Sequence, residues 1–430
     1  MSGSEELIIG ISGMRGIVGE NLDEAIAERY GCAFGWFLRG EFPEDRLKVC
    51  IGMDSRPSGH MLKKAVIQGL VSAGVDVVDL GIVTTPGVGV MVKNLSCHGG
   101  VIITASHNPS QYNGIKLLLN NAVAPPPEKA ECIRQYYYDL SEGKLSSESR
   151  VKGTVEEFSS DEVDKIHIDR VVSIVDRELI SGCGFNVSLD SVNGAGGRVT
   201  KKLLKLLNCE VHSVNTELNG EFTHEPEPIP SNLGQLCELV NENASDIGFA
   251  QDPDGDRLAV VNEKGMCAGE EFTLALAADC IFTKGSGCAA ANLSTSRMID
   301  DIVSARGEKV YRTAVGEANV VAAMIEYSCV IGGEGNGGVI DLRVVPIRDS
   351  LVAIVLILEL MALKEQAISE LAGELGGYHM EKKKLRADAS TAEKVIERAR
   401  KRFEGANVNS TDGCRFDFDN GWLHIRMSNT

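Results

Sequence analysis

The chain has 430 residues, 43% of them hydrophobic, with 43 basic and 61 acidic side chains and a formal net charge of −18. That length predicts about two to four domains, and a surface of that sign repels nucleic acid and anionic lipid while leaving small phosphorylated ligands open wherever basic residues cluster. Twelve irregularly spaced cysteines, none in a C-x-x-C pair, exclude a disulfide framework and argue against zinc, as expected of a reduced cytoplasm.

The first residues, Met1-Ser2-Gly3-Ser4-Glu5-Glu6, show neither the basic nor the apolar region of a signal peptide. From there a strand, a sharp polar turn and a helix recur. Val49-Cys50-Ile51-Gly52-Met53-Asp54 precedes Ser55-Arg56-Pro57-Ser58-Gly59, and Val187-Ser188-Leu189-Asp190 precedes Val192-Asn193-Gly194-Ala195-Gly196-Gly197. Ile247-Gly248-Phe249-Ala250 opens a third version. Apolar strands ending in Asp or Gly and alternating with helical stretches predict an α/β chain of three similar α/β/α domains.

Domain boundaries are expected at 1–150, 151–245 and 246–368, with residues 141–160 as a polar linker. The stretch 351–363 reads as a buried helix, because it contains Glu359 and is too short to span a bilayer. Glycines at 373–377 could form a hinge. A smaller α+β domain over 369–430 should follow, with a hairpin at Asp419-Asn420-Gly421.

Two loops carry chemistry. Thr104-Ala105-Ser106-His107-Asn108-Pro109 ends the apolar run Val101-Ile102-Ile103, presenting Ser106 at a sheet edge. Asp252-Pro253-Asp254-Gly255-Asp256-Arg257 sets three carboxylates at alternate positions, able to converge on one hard cation. An EF-hand is excluded, since Arg257 stands where that loop needs Gly. Magnesium suits three carboxylates better than calcium, leaving positions for a phosphate oxygen and water. Taken singly, Ser106 fits a turn cap as well as a functional serine, and an acidic surface turn without metal is the lesser reading of the aspartates. Together they fit a phosphoserine whose oxygen completes a magnesium site.

These loops, with Ser12-Gly13-Met14-Arg15-Gly16 and Gly333-Glu334-Gly335-Asn336-Gly337-Gly338, resemble in order and spacing the α-D-phosphohexomutase family, from about residue 8 onward. Asn292-Leu293-Ser294-Thr295-Ser296 and Thr313-Ala314-Val315-Gly316-Glu317 are similar to segments of its third domain. The 334–338 segment looks most like the branch containing phosphoglucosamine mutases.

The resemblance implies an enzyme moving phosphate between C6 and C1 of a hexose by way of a bisphosphorylated sugar, its domains surrounding a central cleft. Ser106 would carry the phosphate and bind Mg2+ with Asp252, Asp254 and Asp256. Arg15 and Arg257 would hold the phosphoryl group, and Lys116 would be the general acid or base, with His107 beside the serine. Glu334 and Asn336 would bond sugar hydroxyls, and Arg426, Ser428, Asn429 and Thr430 would grip the non-reacting phosphate. A hexose 1,6-bisphosphate is the expected activator. Glucosamine phosphate is the expected substrate, with glucose or mannose phosphate as the alternative. A non-catalytic sugar-phosphate-binding protein, acting as monomer or homodimer like the enzyme, is the alternative of another class.

Phosphoryl transfer needs positioning and charge neutralisation, which arginine forks supply. A lysine with an ordinary pKa of about 10.4 must be lowered by cations or burial to act as a base, and Lys116 is expected to be so placed. Two departures from the family stand out. Gly338 occupies a position where many members carry His, and the chain stops at Thr430 where they usually continue through Glu-Pro and another arginine. Lys382-Lys383-Lys384 reads as a solvated stretch, residues 193–197 as a structural turn, and His98, His167, His212 and His424 lack metal-site spacing.

Overall fold

A computed structural model of the chain describes residues 7–10, 13–43, 46–385 and 387–427. Four sheets organise it. The first runs Ile8–Gly10, Gly13–Ile17, Tyr112–Leu119, Gly99–Ile103, Lys48–Met53, Asp76–Ile82 and Val155–Glu157 in spatial order. Its middle strands pair in parallel. Gly99–Ile103 is buried at every residue, as a near-continuous apolar strand covered by helices on both faces should be.

The second sheet is Leu258–Asn262, Ile247–Gln251, Asn186–Asp190 and Glu210–Val214, and the third is Val310–Thr313, Ala289–Asn292, Ile331–Glu334 and Gly338–Ile340. The last is an antiparallel ladder of Asn407–Asn409, Cys414–Phe418 and Gly421–Ile425 beside the helix Ala389–Arg402. The architecture is therefore three α/β/α layers and a smaller α+β unit, as expected, and the hairpin closes with Phe418 opposite Gly421.

Two boundaries differ from expectation. Ile247–Gln251 pairs in parallel with Asn186–Asp190, so the break expected before residue 246 falls inside the second sheet. The aspartate loop belongs to that sheet, because it is the turn of an antiparallel hairpin added to it. The stretch expected to be linker contributes Val155–Glu157, an edge strand of the first sheet.

One apolar core runs through the first three units and ends on the helix Ser350–Lys364, which is buried from Ser350 to Ala362. Glu359 lies inside that core because Lys284 Nζ and the Asp176 N–H both reach it. No helix among the described residues is long and apolar enough to cross a membrane, and all twelve cysteines are free.

Candidate active site

Ser106 follows the buried strand Gly99–Ile103 and adopts a left-handed φ of +49°, a conformation a serine holds only when its surroundings fix it. The fixing is visible. Ser106 N donates to Thr104 Oγ1 at 2.9 Å, and Thr104 Oγ1 donates to Asp54 Oδ2 at 2.6 Å. The fully buried Arg56 spreads its guanidinium over the carbonyls of Ser106, Asn108, Pro109 and Tyr112 at 2.6–3.2 Å. Asp54 faces Arg56 at 3.1 Å, although burial still pushes its carboxyl above the usual range.

The aspartate loop approaches from the second sheet, with Gly255 at φ +67° making the tight reversal. Its footing is the turn at 193–197, where Ala195 N donates to Pro253 O at 2.8 Å and a Cβ on Gly194 would lie 2.6 Å from Pro253. That turn is structural, as expected. Asp252, Asp254 and Asp256 are buried, and one oxygen from each lies within 4.8 Å of the others. Ser106 Oγ donates to Asp252 Oδ2 at 2.7 Å, so the two loops meet.

The outer oxygens have protein partners. Asp252 Oδ1 accepts from the N–H groups of Asp256 and Arg257 at 3.1 Å each, and Asp254 Oδ2 accepts from Thr85 Oγ1 at 2.6 Å. Asp254 Oδ1 and Asp256 Oδ1 are buried without any hydrogen-bond partner. Two orphaned carboxylate oxygens beside a serine hydroxyl could serve as donors to a hard divalent cation. Burial and the two neighbouring aspartates push the Asp252 carboxyl well above the ordinary range, whereas at Asp256 burial is outweighed by the charges of Arg348, Lys116 and Arg257, which hold the carboxyl below it.

Basic groups ring this cluster. Lys116 Nζ lies 2.8 Å from Asp254 and 3.7 Å from Asp256. The expectation that its pKa falls is corrected. Burial acts in that direction, but the charges of Asp254 and Asp256 outweigh it and hold the ammonium well above its usual value. Arg15 pairs across the sheet with Gly114, two residues before Lys116, which puts both side chains on one face. Arg257 sits 3.8 Å from Asp256 and 3.9 Å from Glu227, with its Nε unbonded. His107 is held neutral, its pKa lowered to about 2 by burial and the nearby Arg257.

The loop at 333–338 faces the cluster from the third sheet. Glu334 is buried, and its Oε1 accepts from Asn292 Nδ2 at 2.7 Å and Gly316 N at 3.0 Å. Its Oε2 accepts from Arg348 at 2.6 Å. Burial opposes ionisation, yet Arg348 and these donors hold the carboxyl below its usual range. Asn336 lies alongside, its amide 3.5 Å from Glu334 Oε2. From the last domain, Arg426 Nε donates to Asp412 Oδ2 at 3.1 Å, an oxygen that also accepts from Val315 N. Ser428, Asn429 and Thr430 lie outside the described residues.

Residues 6–144, 165–265 and 269–377 match the family models of phosphoglucomutase/phosphomannomutase α/β/α domains I, II and III. A Thermococcus kodakarensis protein named phosphoglucomutase/phosphomannomutase is 37% identical over 98% of this chain and 92% of its own length. The chain belongs to the α-D-phosphohexomutase family. A Methanopyrus kandleri protein named "Probable phosphoglucosamine mutase" is 36% identical over 98% of this chain and 91% of its own. A solved phosphoglucomutase/phosphomannomutase family protein from Burkholderia thailandensis superposes with a TM-score of 0.85 at 27% identity, covering 98% of this chain and 90% of that one. This phosphohexomutase is accordingly an enzyme of the isomerase class. The domain II match ends at residue 265, in agreement with the second sheet's claim on the aspartate loop.

Sequence reasoning missed two arginines of this phosphohexomutase. Arg348 joins Glu334 to Asp256, and only a lone basic residue before the buried helix marks it. Arg56 had a better signal, a charged turn that closes an apolar strand. Replacing it with a side chain of similar length and no charge tests its role. Arg56→Met should cost about 3–5 kcal/mol in denaturant unfolding, because Asp54 and four loop carbonyls lose their donor.

Proposed function

We propose that this phosphohexomutase interconverts hexose 6-phosphate and hexose 1-phosphate through phosphorylated Ser106, with glucosamine phosphate as its preferred sugar. The observation that carries the reading is Ser106 Oγ, 2.7 Å from Asp252 and facing a carboxylate cluster with two orphaned oxygens. In the first half-reaction the bond from phosphorus to Ser106 Oγ breaks as one forms to a sugar hydroxyl, giving a bisphosphorylated sugar. The sugar then reverses, and its other phosphate returns to Ser106.

Asp252, Asp254 and Asp256 would hold Mg2+, which supplies positive charge against the phosphoryl oxygens. Arg15 and Arg257 flank the serine loop and take the remaining charge. Lys116, held as an ammonium beside Asp254, is placed to give a proton to the departing oxygen, and its base form becomes accessible once the aspartates' charge is met. His107, next to the serine, lies 3.7 Å from Glu227. Glu334 and Asn336 orient the sugar ring, and Arg426 takes the distal phosphate by exchanging Asp412 for it. Free thiols throughout support a reducing, cytoplasmic setting.

The test is isomerisation of glucosamine, glucose and mannose 6-phosphates with Mg2+, primed by the matching 1,6-bisphosphate. Glucosamine 6-phosphate should turn over fastest. A faster rate on glucose or mannose would favour the second reading, phosphoglucomutase/phosphomannomutase activity, for which the name of the Thermococcus kodakarensis relative speaks. Inorganic phosphate released faster than isomer would overturn both.

A further inference from the structure

Arg348 is the one side chain described here that bonds both the aspartate loop and the sugar loop. Its Nη2 donates to Asp256 Oδ2 at 2.6 Å and its Nη1 to Glu334 Oε2 at 2.6 Å, two oxygens that belong to different sheets. Glu317 Oε2 steadies it from the side, 3.2 Å from Nε, and accepts its backbone N–H at 2.9 Å. The backbone beneath is fixed to the same two loops. Asp349 N donates to Val339 O, and Ser350 Oγ donates to Gly255 O at 2.7 Å. Asp349 itself is locked by the buried His167 at 2.6 Å.

Gly338 belongs to this arrangement. A Cβ there would lie 2.1 Å from Arg348 Cδ and 2.8 Å from Cγ, so the arginine stem fills the volume a side chain would need. The bare backbone at Gly338 and the seat of Arg348 are therefore one feature. Meanwhile Arg348 saturates Asp256 Oδ2 and leaves Oδ1, the orphaned oxygen, turned to the cation site. A group that fixes the outer oxygen of a ligating carboxylate sets the orientation of the inner one.

Resting on the mutase reading above, we propose that Arg348 is a positioning residue that couples cation binding by Asp252, Asp254 and Asp256 to hexose recognition by Glu334 and Asn336. Its two-pronged fork holds both loops in one register. An ion that orders Asp256 therefore orders Glu334, and a sugar seated on Glu334 improves the ion's site.

The test is calorimetric titration of Mg2+ into the full chain, with and without a hexose 1,6-bisphosphate, alongside steady-state kinetics. In the parent protein the bisphosphate should tighten Mg2+ binding. Arg348→Gln should weaken Mg2+ by about 10–100-fold, raise KM for the sugar phosphate and shrink the mutual effect to what direct contact between phosphate and ion supplies. Arg348→Lys should keep the positive charge but not the coupling, since one ammonium cannot serve Asp256 and Glu334 in the same geometry. Gly338→Ala keeps every charge and should reproduce the loss in milder form.

Unchanged Mg2+ affinity in Arg348→Gln, or full coupling in Arg348→Lys, overturns the proposal. A parent protein that binds Mg2+ yet isomerises no sugar phosphate would instead overturn the mutase reading, and the titration would still decide whether Arg348 orients Asp256.

Discussion

Ser106→Ala is expected to lower isomerase turnover by about 10⁴-fold or more and to remove the mass of one phosphate from the purified protein, with the fold intact. The substitution deletes one hydroxyl and little else. The loop conformation rests on Arg56, Asp54 and Thr104, which hold backbone groups, and not on the hydroxyl. Alanine carries the same steric cost as serine at a φ of +49°, so no new strain enters. What goes is the oxygen that accepts and returns phosphate, together with the hydrogen bond to Asp252 Oδ2. The remaining cluster can still hold a cation and sugar phosphate, so binding should survive while group transfer does not. Intact-mass measurement and a coupled isomerase assay give the two readouts, and wild-type turnover in Ser106→Ala would remove the serine from the mechanism.

The parts of the site legible in the sequence are those whose chemistry is contiguous. Six residues around Ser106 and six around Asp254 each carry a whole function within one turn, so composition and spacing disclose them before any contact is known. Arg348 and Arg56 are different. Each acts on partners far along the chain, Asp256 at 92 residues and Ser106 at 50, and a single arginine has no local pattern that says which carbonyl or carboxylate it will meet. Lys116 shows the same limit in its energetics. Its identity was readable, but the direction of its pKa depends on Asp254, 138 residues away. The boundary misplaced before residue 246 has a topological cause. Ile247–Gln251 and Leu258–Asn262 carry the strand-and-turn pattern of a new unit, yet they extend an existing sheet, and only their pairing with Asn186–Asp190 shows this.

Asp252→Asn should invert the usual relation between a core substitution and stability. Without metal, three buried carboxylates converge within 4.8 Å, and burial together with the charges of Asp256 and Asp254 raises the Asp252 carboxyl well above its usual range. The amide is neutral at nearly constant shape, so it needs neither the proton nor the buried charge that the carboxyl must take. Its oxygen can still accept from the N–H groups of Asp256 and Arg257, and its NH2 can donate to Ser106 Oγ in place of the contact now made. The metal-free variant should therefore melt no lower than the parent, and higher by about 1 °C if sparing that cost is worth roughly 1 kcal/mol over a chain of this length.

With Mg2+ present the order should reverse. Saturation at about 100 times the dissociation constant stabilises the parent by roughly 2.7 kcal/mol, while Asp252→Asn, short of one anionic ligand, should gain little. Turnover should fall by about 10³-fold or more, since the charge on the moving phosphoryl group loses much of its counterweight. The two melting curves, with and without Mg2+, decide the matter. Equal Mg2+ shifts in both proteins would show that the ion sits elsewhere, whereas a crossing of parent and variant on adding Mg2+ ties metal, aspartates and serine to one site.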